Sequence, residues 1–95
     1  MDGDAEREAL EAIIRRAKLY IEKTTKIPSS NLAEPHTEPV FWRDSAMGLP
    51  PIPGEPVKRK HRPGYILLFD TPHGQYRFHA DITTNVVQYD SRSSR

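Results

Sequence analysis

The sequence predicts an α+β domain in which one N-terminal helix packs on a three-stranded antiparallel β-meander. Three observations predict it. Apolar residues recur at spacings of three and four near the N-terminus, prolines crowd the middle of the chain, and apolar and polar residues alternate in its last third. The chain has 95 residues, which suits one small domain spanning residues 1–95. We expect a Pro-rich irregular connection to join the helix to the sheet.

Residues 4–25 are predicted to form the helix, with Asp4 as its N-cap. Acidic residues crowd its first turns and lysines its last, which suits the helix dipole. Pro28 ends the helix near residue 25. We expect the apolar stripe to be buried against the protein's own sheet, and a partner-binding seam is the alternative. The stripe consists of Leu10, Ile13, Ile14, Ala17, Tyr20 and Ile21.

The connection, residues 27–64, holds eight of the nine prolines. Because each proline removes a backbone donor and fixes φ, we expect neither a long helix nor a central strand here. Val40-Phe41-Trp42 is its strongly apolar cluster and is expected to anchor the connection to the core. The segment Leu49–Pro53 is either a rigid cover over the core or a polyproline II ligand for an aromatic groove.

Residues 65–90 are predicted to form the meander. Four-residue turns pair Phe69 with Tyr76 and Phe78 with Tyr89, and both registers agree on one apolar face. That face consists of Tyr65, Leu67, Phe69, Tyr76, Phe78, Ala80, Val87 and Tyr89. The opposite face carries Ile66, Leu68, Asp70, Gln75, Arg77, His79, Asp81, Gln88 and Asp90. The tail, residues 91–95, is expected to be disordered.

Composition excludes several classes of protein. The chain has no cysteine, which rules out disulfides, thiolate metal sites and cysteine catalysis. The four histidines lack the spacing of a zinc helix, so we expect no metal. A Gly-rich phosphate loop is also missing, and we expect no cofactor. No apolar run approaches the roughly 18 residues of a membrane span. The acidic start, Met1–Asp4, predicts no secretory signal, and we expect a cytoplasmic protein without membrane contact.

A basic run at residues 58–62 is the most distinctive feature of the sequence. The net charge is +1, yet residues 27–57 sum to −3 and residues 58–95 to +4. Four permanent charges repel one another within the run, and they suit contacts with the phosphates of RNA. The alternatives are a solvated loop and a nuclear-localisation-like run. The candidate phosphate-binding residues are Lys58, Arg59, Lys60 and Arg62.

Arg77 and His79 are the candidate catalytic residues. His79 lies in the predicted second strand, on the polar face that also carries Arg77. A histidine beside a permanent cation suits acid–base cleavage of a phosphodiester without a metal, because the cation stabilises the added negative charge. The structural alternative pairs Arg77 with Asp90 across the strands and His79 with Gln88.

One stretch resembles a known family. The basic residues before Tyr65, the hairpin turn Phe69–Gly74 and the later turn Asp81–Asn85 resemble motifs of anticodon-cleaving tRNase colicins and related toxin domains. The resemblance covers residues 58–85, with Phe69 where that family has tryptophan and Asn85 where it has glycine. It implies a toxin-like ribonuclease in which Lys58, Lys60 and Arg77 are the active groups. The second turn is also similar to the end of PepSY domains.

Two function hypotheses follow from the sequence. The first is a small RNA-engaging protein that either binds RNA or, as an endoribonuclease, cleaves it without a metal. The second is a non-catalytic regulator or inhibitor that binds a protein partner, of the kind that phages and mobile elements encode. Its contact surface would be the edge strand Val86–Tyr89, the Pro-rich connection or part of the helix.

Overall fold

The computed structural model describes residues 2–44, 46–49, 54 and 59–90. This part of the chain forms one helix packed on an antiparallel sheet of four strands in the order β1-β2-β3-β4. The elements are α1 (Asp2–Thr25), a short 3₁₀ helix (Ser29–Asn31), β1 (His36–Asp44), β2 (Arg59–Thr71), β3 (Gly74–Asp81) and β4 (Val86–Tyr89). The predicted α+β class is confirmed, with one strand more than the predicted three.

The helix buries the stripe that its sequence predicts. Ile13, Ala17 and Ile21 are fully buried against the sheet. The helix begins at Asp2, so Asp4 lies within its first turn and the predicted cap at this residue is wrong. It ends at Thr25 as predicted, and Lys26 follows with a φ of 68° and donates its N–H to the Glu22 carbonyl.

The pairing of the last three strands agrees with the predicted register. Phe69 faces Tyr76 across the first hairpin, and Phe78 faces Tyr89 across the second. The apolar face therefore packs under α1 as one set. Its buried members are Leu67, Phe69, Tyr76, Phe78 and Ala80.

The additional strand, β1, lies in the Pro-rich connection, which the sequence predicts to be irregular. It pairs with β2 and forms one edge of the sheet. Pro39 lies in this edge strand opposite Tyr65. An edge strand has unpaired backbone groups on its outer side, so a proline whose nitrogen points outward removes no hydrogen bond of the sheet.

The start of β2 corrects a second expectation about the connection. Residues 59–64, predicted to lie outside any central strand, are the first part of β2. Pro63 is compatible with a strand here because its carbonyl accepts from the Ile82 N–H, on the side away from β1. The nitrogen of a strand residue points to the same side as its carbonyl, so the missing donor of Pro63 costs no bond to β1. On that side β3 pairs with β2 only as far as Gly64.

The face of the sheet opposite α1 has a small core of its own. Trp42 on β1 lies across Gly64 of β2, and its Nε1–H donates to the Ala80 carbonyl of β3 at 2.7 Å. Trp42 and Val40 are at least half-buried there, as the expected anchoring of the connection requires, whereas Phe41 is exposed. The cluster consists of Trp42, Met47 and Ile66, with Val40 and Leu68 packed against it.

Among the residues described, no helix is both long and apolar enough to cross a membrane. Of the segment Leu49–Pro53, predicted to be a rigid cover or a polyproline II ligand, residues 50–53 lie outside the described residues, as does the tail at 91–95.

Replacing Gly64 by alanine is expected to lower the free energy of unfolding by about 1–3 kcal/mol, as overpacking does. A Cβ at this position would overlap the Ala80 carbonyl oxygen and the Trp42 indole, and a backbone oxygen cannot move aside easily. Urea unfolding measures the change. Gly3→Ala is the control, since a Cβ there meets no atom within 4 Å. Equal stability of the two variants would contradict the close approach of Trp42 to β2.

Candidate nucleic-acid interface

The predicted basic run lies at the end of a two-stranded ribbon. Residues 59–63 of β2 pair with residues 41–44 of β1, beyond the point where β3 ends. We call these two segments the ribbon. The pairing of Trp42 with Arg62 and of Asp44 with Arg59, with an irregularity between them, defines its register. Residues 59–62 of the run therefore lie in an extended strand, where the sequence predicts an irregular connection.

The described residues include most of the basic run. Arg59 and Lys60 are the first two residues of β2, described by their backbone, and Lys58 lies outside the described residues. Arg43 adds an exposed cation on the neighbouring strand. The ribbon thus brings several bases together on two paired strands.

Arg62 is held by a buried carboxylate. Its Nη1 lies 2.9 Å from Asp81 Oδ2, and the Asp81 side chain is only 5% exposed. The other carboxylate oxygen accepts from the N–H groups of Thr83 and Thr84, which closes the turn after β3. Burial raises the pKa of Asp81, but the hydrogen bonds from Arg62, Thr83 and Thr84 outweigh it and hold the pKa below its ordinary value.

His79 is buried and has protein partners at both ring nitrogens. It is 4% exposed, and the Trp42 indole stacks on its ring with the centroids 5.1 Å apart. Nδ1 lies 2.6 Å from the Met47 carbonyl oxygen, which can only accept, so Nδ1 carries a hydrogen. Nε2 accepts from Arg77 Nε–H at 3.2 Å and lies 3.3 Å from Asp90 Oδ2. The turn at residues 46–49 thus covers His79, whereas the structural alternative from the sequence is a half-exposed residue of the sheet.

Arg77 and the buried Asp90 form a cluster with His79. Arg77 Nε lies 3.6 Å from Asp90 Oδ2, and the Asp90 N–H donates to the Arg77 carbonyl at 2.8 Å. The cross-strand ion pair that the sequence suggests is therefore present. His79 also faces Gln88 as suggested. Arg77 and His79 are in contact, as a catalytic pair would need to be, but both ring nitrogens of His79 and the Nε of Arg77 have partners within the protein.

The sequence does not predict an exposed pair of aromatic rings that the ribbon carries. Phe41 is 62% exposed, and the exposed ring of His61 meets it edge-on with the centroids 5.6 Å apart. Part of this arrangement could be inferred from the sequence, because the side chains of adjacent strand residues point to opposite faces of a sheet. Once Trp42 faces the Met47 cluster, its neighbour Phe41 must lie on the other face. Nothing in the sequence shows that this face is uncovered at the ribbon.

No group of three or more potential metal ligands occurs among the described residues. The ribbon offers cations and aromatic rings for recognition. In the Arg77–His79–Asp90 cluster, His79 and Asp90 are buried, whereas the Arg77 side chain is 38% exposed.

Replacing Asp81 by asparagine is expected to lower the free energy of unfolding by about 1.5–3 kcal/mol at neutral pH, because a hydrogen-bonded charge pair is lost. A carboxyl with a lowered pKa stabilises the fold above its unfolded pKa of about 3.9. This stabilisation disappears as the pH falls through the lower, folded-state pKa, so the difference between the parent and Asp81→Asn shrinks in acid. Urea unfolding from pH 7 to pH 2 measures it. Asp70→Asn, at an exposed carboxylate, is the control, and a pH-independent difference would contradict the argument.

Replacing His79 by leucine is expected to lower the free energy of unfolding by about 1–3 kcal/mol, since the Met47 carbonyl loses its donor in a buried place. Thermal unfolding followed by circular dichroism measures the change. His73→Leu, in the exposed turn between β2 and β3, is the control and should change stability by less than about 0.5 kcal/mol. If both variants are as stable as the parent, His79 has no structural role.

No family model, curated protein or solved structure matches this chain. The resemblance of residues 58–85 to colicin tRNase domains therefore stays a resemblance of two hairpin turns and a basic run.

Proposed function

We propose that this protein binds RNA through the ribbon, with Lys58, Arg59, Lys60 and Arg62 contacting phosphates. The observation that carries the proposal is that a basic run enters β2 where this strand extends past β3, and that the ribbon bears two exposed aromatic rings, His61 on β2 and Phe41 on β1. Cations that follow a backbone, together with aromatic rings that meet bases, are the two components of single-strand recognition.

The charges of the run support a polyanionic partner. Like charges at successive positions destabilise the isolated protein, and bound phosphates relieve that repulsion while they release counterions. Arg62 is already paired with Asp81, which orients one cation of the run at a defined place on the sheet. A charge anchored in this way can set the register of the phosphate backbone.

The geometry supports binding better than cleavage. A general base must reach the proton that it removes. His79 is 4% exposed, with Trp42 stacked on its ring and Met47 bonded to Nδ1. Cleavage by Arg77 and His79 is therefore the second form of the proposal and needs the ring of His79 to be uncovered when RNA binds.

Reversing two charges of the run tests the proposal. We expect Arg59→Glu/Lys60→Glu to weaken the binding of labelled single-stranded RNA. It should also reduce the slope of log K against log salt by about 1.4, which corresponds to two phosphate contacts at about 0.7 each. Fluorescence anisotropy at several salt concentrations measures both effects. Both positions leave the Arg62–Asp81 pair intact.

The matched control is Arg15→Glu/Lys23→Glu, which reverses two exposed charges on α1. It changes the net charge equally and should retain most of the affinity and slope. Equal loss in both double variants would mean that total charge, and not the ribbon, attracts RNA. The same samples run on a denaturing gel in EDTA test cleavage, and discrete products that disappear in His79→Leu would favour the catalytic form.

Protein binding at the β4 edge is the second candidate function. Val86 is 39% exposed in this edge strand. On the adjacent helix Leu19 and Tyr20 are also exposed. The ring of Tyr20 stacks on that of Tyr89, with the ring centroids 5.0 Å apart. An extended segment of a partner could add to β4 and cover these apolar groups. This candidate predicts that the charge reversals of the ribbon leave complex formation unchanged.

A further inference from the structure

Phe41 is exposed in a way that the fold does not require. It is 62% exposed, compared with 53% for Leu19 and 42% for Tyr20. Moving a large apolar side chain out of water lowers the free energy, so a ring that stays exposed contributes little to the stability of the fold. A surface role explains its position better than a folding role does.

The ring of Phe41 is held in a defined orientation. It lies on β1 opposite Pro63 of β2, in the paired part of the ribbon. The His61 ring meets it at an interplanar angle of 66°, an edge-to-face contact of the favoured kind. Two rings on paired strands form a small platform that loses little side-chain entropy when a flat partner stacks on it.

Basic residues lie close to this platform in the sequence, on the same two paired strands. Arg43 is exposed two residues along β1 from Phe41. Arg59 and Lys60 precede His61 in β2. This combination of an aromatic surface with flanking positive charge is complementary to a base and its neighbouring phosphates, and it does not suit a purely apolar partner.

We propose that Phe41 and His61 form a stacking platform for an unpaired base of single-stranded RNA, which deepens the proposed function and rests on it. Bases within a duplex are stacked on both faces, whereas bases in a single strand leave a face free for an aromatic ring. The platform therefore gives the protein a preference for single-stranded over double-stranded RNA. The basic run alone would bind both.

The test compares Phe41→Ala with the parent on two labelled probes, an unstructured RNA of about 12 nucleotides and a duplex of the same length. Loss of one stacked base predicts that Phe41→Ala binds the single strand about 5- to 150-fold more weakly. The affinity for the duplex should change less than twofold, and the salt slope should stay that of the parent. Phe41→Trp should retain the preference because an indole also stacks.

Leu19→Ala is the matched control, since it removes another exposed apolar side chain, on α1. Thermal unfolding of each variant confirms that the fold is intact, as expected at positions more than half-exposed. Equal weakening of both probes by Phe41→Ala would overturn the platform, because a loss without selectivity is not a loss of stacking.

The same measurements separate base stacking on Phe41 from RNA binding as a whole. If the parent binds RNA with a clear salt slope but Phe41→Ala binds both probes as the parent does, the platform is wrong and RNA binding stands. If the parent binds neither probe at low salt, both proposals are wrong. An exposed Phe41 would then indicate a contact for a protein partner.

Discussion

The single register of the β2–β3 pair is the constraint on which both faces of the sheet depend. It places Leu67 opposite Phe78 on the side that α1 covers, and Ile66 opposite His79 on the other side. Because successive side chains alternate between faces, a slip of one residue would expose the apolar set and bury the polar set. The burial of three helical side chains against Leu67, Phe69 and Phe78 makes such a slip costly.

The second face shows how a thin sheet buries polar groups without leaving them unpaired. Trp42 crosses the central strand where Gly64 has no side chain, and bonds to the backbone of β3. Its ring covers His79, which is bonded to Met47 and to Arg77. No buried side-chain polar atom among the described residues lacks a partner. The outer strand β1 is thereby tied to β3 as well as to β2, which gives the ribbon a rigid base.

A buried and an exposed aromatic residue are adjacent on β1. Trp42 is 9% exposed and contributes to packing, whereas the preceding Phe41 is 62% exposed. Both are aromatic, and their difference follows from the period of two in a strand and from the extent of the covering elements. β3 pairs with β2 only as far as Gly64, and beyond that point Phe41 and His61 are exposed on one face of the ribbon. The chemistry available there is cationic and aromatic, while the acid–base groups are inside.

Local sequence patterns are enough to predict α1 and the β2–β3–β4 register and to suggest the Arg77–Asp90 pair, because helical spacing, strand alternation and turn length are local properties. The existence of β1, the strand conformation of residues 59–62 and the burial of His79 emerge only from contacts between distant parts of the chain. These features depend on a contact between Trp42 and Gly64, which are distant in sequence, and on the turn at 46–49. Local patterns do not specify such contacts, because proline content argued against a strand and the opposite face of the sheet appeared polar.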